Sequence, residues 1–518
     1  MKKITKKNIG FVFLFTLLFA GCDLTRAPYD GVPPEEALKD AEGVENVTRG
    51  NYAFLVDMTA NTNNLVMMMY QSGDYRSDDL MISGTTSNRM MLTYNYLHNP
   101  DMPNTLNLWR QGYQLIYNAN TVIDAVAPGQ SPELDQLIGE NKFLRSMMHL
   151  YIAVGFARPY PHGRDNLGIP LMREADVNAE PVRATVGETY DFIAQDLVEA
   201  AELMTESKTS SYASREAAWA LLSRVYLYME ENDLAIEYAD RVIDSGRFDL
   251  VSTEDYPTYF QQNNESRPES IFAIHHTASD DHGRSMGVGS MIYQSPTGAG
   301  WGENYASKSL RDLLDQWPED VRRDFIEPQY ILDDDGNIQY DDETGEPLLR
   351  DRNGFPRYYV LKFVGPPGNE TLSHPEFLRY SEVYLNKAEA LAKTTGGELE
   401  ALNIVNMFRE RAGLPPEAMY TLVDLGEHET VLDVVLEERR LELFFEGHRA
   451  HDLFRNNKTM FRDYPGTHLA PGNPGVVIDP DHPAGGTQTI EPDNARIIFF
   501  IPESEIDINP NLQQNPGV

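Results

Sequence analysis

The stretch from Ser214 to Gly246 constrains the fold of this chain more than any other. Trp219, Leu222 and Tyr226 follow at helical spacing, and after a short break Ala235 and Ala239 stand four apart. This predicts two antiparallel helices, the alanines letting the second lie close on a seam filled by the large side chains of the first. Such a hairpin cannot bury its apolar face alone and needs neighbours of its own kind. A second copy is expected from Pro375 to Gly413, where Leu385 and Glu389 take the places of Leu222 and Tyr226, and Ala401 that of Ala235.

The order Trp-x-x-Leu-Ser-x-x-Tyr is similar to the tetratricopeptide repeat. It departs at Ser223, where glycine is usual, at Ala239, where an aromatic is usual, and in lacking a terminal proline. Apolar periodicity predicts further helices over 41–60, 104–127, 141–156 and 429–455. Thr185 and Glu188 have capping-box spacing and open another through Leu203. Residues 248–372 differ: short apolar runs such as Ile271 to Ile274 and Tyr358 to Leu361, glycine-rich loops and an acidic hairpin predict a few strands. The run Arg496 to Pro502 is too short for a membrane and reads as a buried strand or a plug into the core. The expected fold is mostly α: tetratricopeptide-like helical hairpins with an irregular, loop-rich middle region and a few short strands.

Cys22 is the only cysteine, which excludes a disulfide within the chain. Before it stand Lys2, Lys3, Lys6 and Lys7, an apolar run from Phe11 to Phe19, and the small pair Ala20-Gly21. These are the parts of an export signal, with an apolar core shorter than the roughly 20 residues that span a bilayer. The segment resembles a bacterial lipoprotein signal, with Phe19 where an aliphatic is usual, and the resemblance implies an acylated Cys22 as mature N-terminus. An ordinary secreted protein with a chance cysteine is the alternative. Residues 23–40, with Pro28, Pro33 and Pro34, read as a flexible tether. Loss of the four leader lysines takes the net charge from −37 to about −41, which makes nucleic acid an unsuitable partner. Only 12 lysines stand against 31 arginines, so acidic surface dominates; one explanation is a saline habitat, another simply an acidic surface.

Four blocks in order resemble the SusD/RagB family of Bacteroidetes surface lipoproteins. They are Phe143-Leu144-Arg145 through Tyr151 with Tyr160 and Gly168-Ile169-Pro170-Leu171; Tyr380 to Ala390; Glu437-Glu438-Arg439-Arg440-Leu441-Glu442-Leu443-Phe444-Phe445-Glu446-Gly447-His448-Arg449 with Asp452, Leu453 and Arg455; and Phe500-Ile501-Pro502 with Asn509 to Gly517. The resemblance implies four tetratricopeptide-like helical pairs supporting an irregular face. It also implies an outer-membrane, outward-facing lipoprotein that captures oligosaccharide, or in some members peptide, for a SusC-like TonB-dependent transporter, with no catalysis and no cofactor. The organisation is then 1–21 signal peptide, 22–40 tether, 41–247 N-terminal helical region, 248–372 loop-rich ligand face and 373–518 C-terminal helical region. A tetratricopeptide-type scaffold for protein partners is a third reading, one that does not need the glycine-rich middle.

Glu442, Glu446, His448, His451 and Asp452 invite a metal reading, but their spacing is not HExxH, and Arg439, Arg440 and Arg449 beside them predict buried ion pairs. Asp333-Asp334-Asp335-Gly336-Asn337 fails the EF-hand pattern at loop positions 1 and 12 and reads as a hairpin turn. His275-His276 reads as a strand end. No serine-protease-like signature or phosphate-cradling loop is present in the sequence. Sugar binding calls for flat aromatic faces flanked by hydrogen-bonding groups. Two segments supply both. From the first come Asp74, Tyr75 and Arg76; from the second Tyr293, Trp301, Asn304 and Tyr305, with Gly298, Gly300 and Gly302 leaving the indole free to project. Trp109 and Trp219 are expected in the core, and Trp317 as a helix-end anchor.

Overall fold

A computed structural model describes residues 34–56, 65–82, 90–280, 287–352, 355–463, 469–470, 473–477 and 487–517. Cys22 and the leader lie outside the described residues. The helices that build the body are α1 (Ala41–Val56), α2 (Leu65–Asp74), α3 (Pro103–Ala125), α4 (Pro132–Phe156), α5 (Val186–Leu203), α6 (Arg215–Tyr228), α7 (Asn232–Asp244), α8 (Lys308–Leu314), α9 (Tyr380–Ala392), α10 (Glu398–Arg411), α11 (Val431–Leu443) and α12 (Arg449–Arg455).

Helices α3 to α7 pack each on the next, α7 packs on α9, and α9, α10 and α11 close the stack. The expected hairpin is α6 with α7. Ala235 and Ala239 are fully buried in its seam, and Tyr226 stacks on Tyr238 with centroids 5.4 Å apart. Trp219 is only half-buried, at the edge of the seam between Arg215 and Arg241, and not in the core interior as expected. Trp109 does lie in the core, against Tyr113 and Phe156, and Trp317 anchors on Ala412, Leu414 and Ala418. The capping box of α5 forms in both directions.

Three boundaries differ from expectation, each for a physical reason. Helix α4 begins nine residues before the expected 141, because Ser131 caps it and Pro132 occupies its first position. Its added turns and the residue after them carry buried polar groups that break the apolar period: Glu140 accepts from Tyr52 Oη at 2.8 Å, and Asn141 Oδ1 from Asn51 Nδ2 at 2.7 Å. The single helix expected over 429–455 is two, because Phe445 (φ 59°) and Gly447 (φ 81°) turn the chain left-handed between α11 and α12. The expected tether ends early, since Pro34–Ala37 form a helical turn and Leu38 packs on Val44, Val122 and Ile138.

Short antiparallel pairs hold the irregular part, the first two stitching it to its flanks, the third lying within it and the fourth in the C-terminal region. β1 (Leu80–Ile82) pairs with β3 (Asn304–Ala306), β2 (Ser270–Ala273) with β6 (Glu376–Arg379), β4 (Ile326–Pro328) with β5 (Tyr358–Val360), and β7 (Met460–Asp463) with β8 (Thr487–Ile490). The run near the C-terminus is a plug without strand pairing. Ile497 to Ile501 are buried, Phe499 N donates to Gly155 O at 2.8 Å, and Asn515 Nδ2 donates to Phe156 O and Phe499 O, each at 2.7 Å.

Helix α2 is buried at every residue and meets the α11–α12 corner backbone to backbone. A Cβ on Gly73 would stand 1.9 Å from Gly447 O. Gly73→Ala must push two backbones apart, and a loss of about 2–3 kcal/mol in urea denaturation is expected, the upper part of the overpacking range.

Candidate ligand-binding face

The segment from Tyr293 to Glu303 folds back on itself. Trp301 N donates to Ser290 O at 2.6 Å and Ser295 N to Ala299 O at 2.8 Å. Two glycines make this closure possible: Gly300 (φ 81°), whose Cβ would meet Tyr293 O at 2.2 Å, and Gly302 (φ 52°), whose Cβ would meet the Tyr359 ring at 2.8 Å. The loop is fixed from below by Arg352, which donates to Trp301 O at 2.9 Å and pairs with Glu303 at 2.9 Å.

Half-exposed rings result. Tyr293 stands edge-on to Tyr359 at 5.6 Å, and Arg311 covers the face of half-exposed Tyr358, 3.5 Å from its centroid. Burial, with Glu327 and Glu370 nearby, pushes the Tyr293 hydroxyl up to about 12, so it stays neutral and both donates and accepts. Tyr293, Trp301 and Tyr358, with the Arg352 and Glu327 side chains, combine apolar ring faces and hydrogen-bonding groups.

The two candidate segments are neighbours, because β1–β3 pairing sets Met81 opposite Tyr305. That pairing turns Asn304 and Tyr305 inward, and the packing of α2 and its following turn buries Asp74, Tyr75 and Arg76, so five of the seven candidate residues face the interior. Asn304 is 1 % exposed and donates to Tyr75 Oη at 2.5 Å; Tyr305 is fully buried beside Met81 and Tyr359. Asp74 accepts from Gly447 N at 2.9 Å, and burial raises its carboxyl to about 8. Arg76 lies over Phe499 at 4.6 Å and donates to Ser72 O at 2.6 Å and to Ile497 O, holding the C-terminal plug. Asn304, Tyr305, Asp74, Tyr75 and Arg76 thus serve the interior, and only Tyr293 and Trp301 reach the surface. Tyr358 and Arg311 were not among the sequence candidates; the apolar run at Tyr358 indicates a strand, and nothing local indicates which ring lies outward.

The block Glu437 to Arg455 forms a buried ion network. Glu442 accepts from Tyr256 Oη at 2.6 Å and from Arg379 at 2.8 Å, and Arg411 approaches its other oxygen to 2.6 Å, at an angle outside that of a hydrogen bond. Glu446 pairs with Lys362 at 2.7 Å and Arg379 at 2.9 Å; Glu389 and Asp452 share Arg455. Among the described residues no three His, Asp or Glu side chains converge in a metal-holding arrangement. At the acidic hairpin Asp333 Oδ1 accepts from Asp335 N and Asn337 N, with Gly336 at φ 85°, as a turn requires. His275 and His276 follow β2, with His275 Nδ1 on Asn264 Oδ1 at 2.9 Å and His276 Nδ1 on Ser373 O at 2.7 Å.

The family model described as "SusD family" matches residues 350–517, and that described as "Starch-binding associating with outer membrane" matches residues 40–227. A SusD-like protein P2 of Formosa agariphila is 26% identical over 475 residues, covering 87% of this chain and 90% of its own. A SusD-like protein of Bacteroides ovatus is 25% identical, covering 69% of this chain and 66% of its own. Among solved structures, a SusD superfamily protein of Bacteroides thetaiotaomicron superposes with a TM-score of 0.75 at 27% identity, covering 92% of this chain and 100% of its own. One from Bacteroides vulgatus gives 0.74 at 27% identity, covering 92% and 99%.

Proposed function

Because this chain belongs to the SusD/RagB family, we propose that it binds carbohydrate at the outer membrane and passes it to a SusC-like TonB-dependent transporter. The starch-binding, outer-membrane description of the model matching residues 40–227 supports the ligand class and the location. The observation that carries the site is the half-buried pair Tyr293 and Tyr358 packed on Tyr359, with half-buried Trp301 on the adjoining glycine loop that Arg352 holds. A sugar ring stacks on such faces while its hydroxyls bond the flanking polar groups. The proposed ligand residues are therefore Trp301 and Tyr293. In this reading acylated Cys22 anchors the protein facing outward, residues 23–33 form the leash, and the bound oligomer is handed on unchanged.

The test is calorimetric titration of the chain starting after Cys22 with a panel of oligosaccharides. Trp301→Ala is expected to weaken the best ligand at least about tenfold, ~1.4 kcal/mol, with its melting temperature near that of the parent. Unchanged affinity would remove Trp301 from the site. Binding of peptides alone would replace the carbohydrate reading, and release of shortened sugars would overturn capture without turnover.

A further inference from the structure

An open groove of 270 Å³ lies on the other side of the charged corner, between α11, α12 and residues Lys458 and Thr459, with His428 at one end. Its floor is built from two guanidiniums with side chains only 11% and 15% exposed, Arg440 and Arg449. Arg440 gives Nε to Asp79 at 2.6 Å and Nη2 to Ser309 Oγ at 2.9 Å; Arg449 gives Nε and Nη2 to Asp78 at 2.8 and 2.9 Å. In each, Nη1 is left without a partner among the described residues. The buried aspartates thus hold both forks rigid, with one edge free, and little side-chain freedom remains to be lost on binding.

The carboxylates that line the groove are largely engaged. Asp452 is taken by Arg439 and Arg455, and Asp433 by Lys458 and Thr430; one oxygen of Glu437 faces His428 Nε2 at 3.2 Å. Beside the second oxygen of Glu437, the Nη1 edges of Arg440 and Arg449 and the half-exposed Lys458 ammonium give the groove its donors, with Leu436 and Leu453 as its apolar lining. A donor-rich concavity with pre-oriented guanidiniums suits an oxyanion.

We infer that this groove is a second saccharide subsite, taking a sugar that carries an oxyanion substituent, either a carboxylate or a sulfate ester, on the free edges of Arg440 and Arg449. The inference rests on the carbohydrate reading above and adds the charge of the substrate. The net charge of about −41 on the chain after Cys22 (−37 less four lysines) repels such a polymer at long range, so recognition acts at contact distance and salt, by screening the repulsion, does not abolish it.

Maltoheptaose, a galacturonate heptamer and a sulfated galactan oligomer, each titrated into the chain starting after Cys22, separate the possibilities. At least one anionic oligomer is expected to bind, the galacturonate arm reporting carboxylate and the galactan arm sulfate. Lys458→Glu places an opposing charge at the rim, where Lys458 is 45% exposed, and Thr459→Trp fills the groove. Each is expected to weaken the anionic oligomer at least about tenfold while leaving maltoheptaose affinity and melting temperature unchanged. Anionic binding unaffected by both variants, or no anionic binding, overturns the inference. Maltoheptaose binding that Trp301→Ala removes, without anionic binding, leaves the carbohydrate reading standing and ends this one alone; failure of all three probes ends both.

Discussion

Glu442→Ala is expected to destabilise the protein by about 3–5 kcal/mol, the range for breaking a buried ion pair from one side. Glu442 is fully buried, and its carboxylate faces Arg379, Arg411 and, at 3.7 Å, Arg322. Arg411 depends on it most. Its other carboxylate neighbour, Glu269, stands 3.6 Å away, and its guanidinium lies against the Tyr256 ring at 3.7 Å, where no water replaces the lost charge. Arg379 retains Glu269 and Glu446, and Arg322 retains Asp320 and Glu438, so the remaining network is strained in charge and not dissolved. Glu442→Gln preserves volume and one acceptor, and a smaller loss is expected from it. Urea denaturation of both variants checks the order; a Glu442→Ala protein as stable as its parent would show that the network contributes no net stability. With domain stabilities of roughly 5–15 kcal/mol, the expected loss is a large fraction of the total.

Stability should fall steeply as pH drops from about 6.5 to about 2, and two groups of residues determine the sign. Glu382 and Glu389 are held at about 2 by Arg224 and Arg455, and Glu442, Asp78 and Asp452 are also held below the usual carboxylate range by adjoining arginines. A depressed folded value means stability present above the unfolded value, roughly 4, and lost as pH falls through the folded one. Burial also lowers His98, His149 and His448 to about 4 and His374 to about 3. The unfolded chain protonates these at about 6.5, so their contribution fades between 6.5 and 4 as pH falls. Asp74, raised to about 8, works in the opposite direction and favours the folded state between roughly 4 and 8 as pH is lowered. Burial raises Glu376 and Asp79 in the same sense, so three carboxylates stand against the larger set of lowered carboxylates and histidines. Thermal melts from pH 8 to pH 3 should therefore show a monotonic loss below about 6.5; a flat profile would mean that the paired carboxylates are not held as the geometry requires.

Much of the helical body was legible from the order of residues. The α6–α7 hairpin follows from Trp219, Leu222, Tyr226, Ala235 and Ala239 because helical periodicity is local and each residue reports its own turn. The pairing of Glu442, Glu446 and Asp452 with arginines was legible for a different reason: a run of buried charge on an apolar helix survives only when compensated. What escaped was mostly polar. The first nine residues of α4 hide Gln136 and Glu140 inside, so they read as surface. The break at Phe445 to Gly447 appears only once Gly73 is known to lie against it.

At the candidate face, the structure brings the two segments named from the sequence together but buries five of the seven side chains. Aromatic and polar residues near Tyr75 and Trp301 are equally suited to a sugar or to an interior hydrogen-bond network, and composition does not distinguish these. The decision is made by β1–β3 pairing, which joins Leu80 to Ala306 and directs Asn304 and Tyr305 inward while Trp301 stays at the surface. The groove at Arg440 and Arg449 depends likewise on Asp78 and Asp79, some 360 residues earlier in the chain, approaching from behind. By itself the sequence determined the helical hairpins, their need to stack, and the compensation of the buried charges, since these follow from periodicity and from the cost of unpaired charge. Only the tertiary structure decided which polar side chains are consumed inside and which keep a free edge for a ligand, because that depends on contacts between segments whose separation along the chain carries no periodic signal.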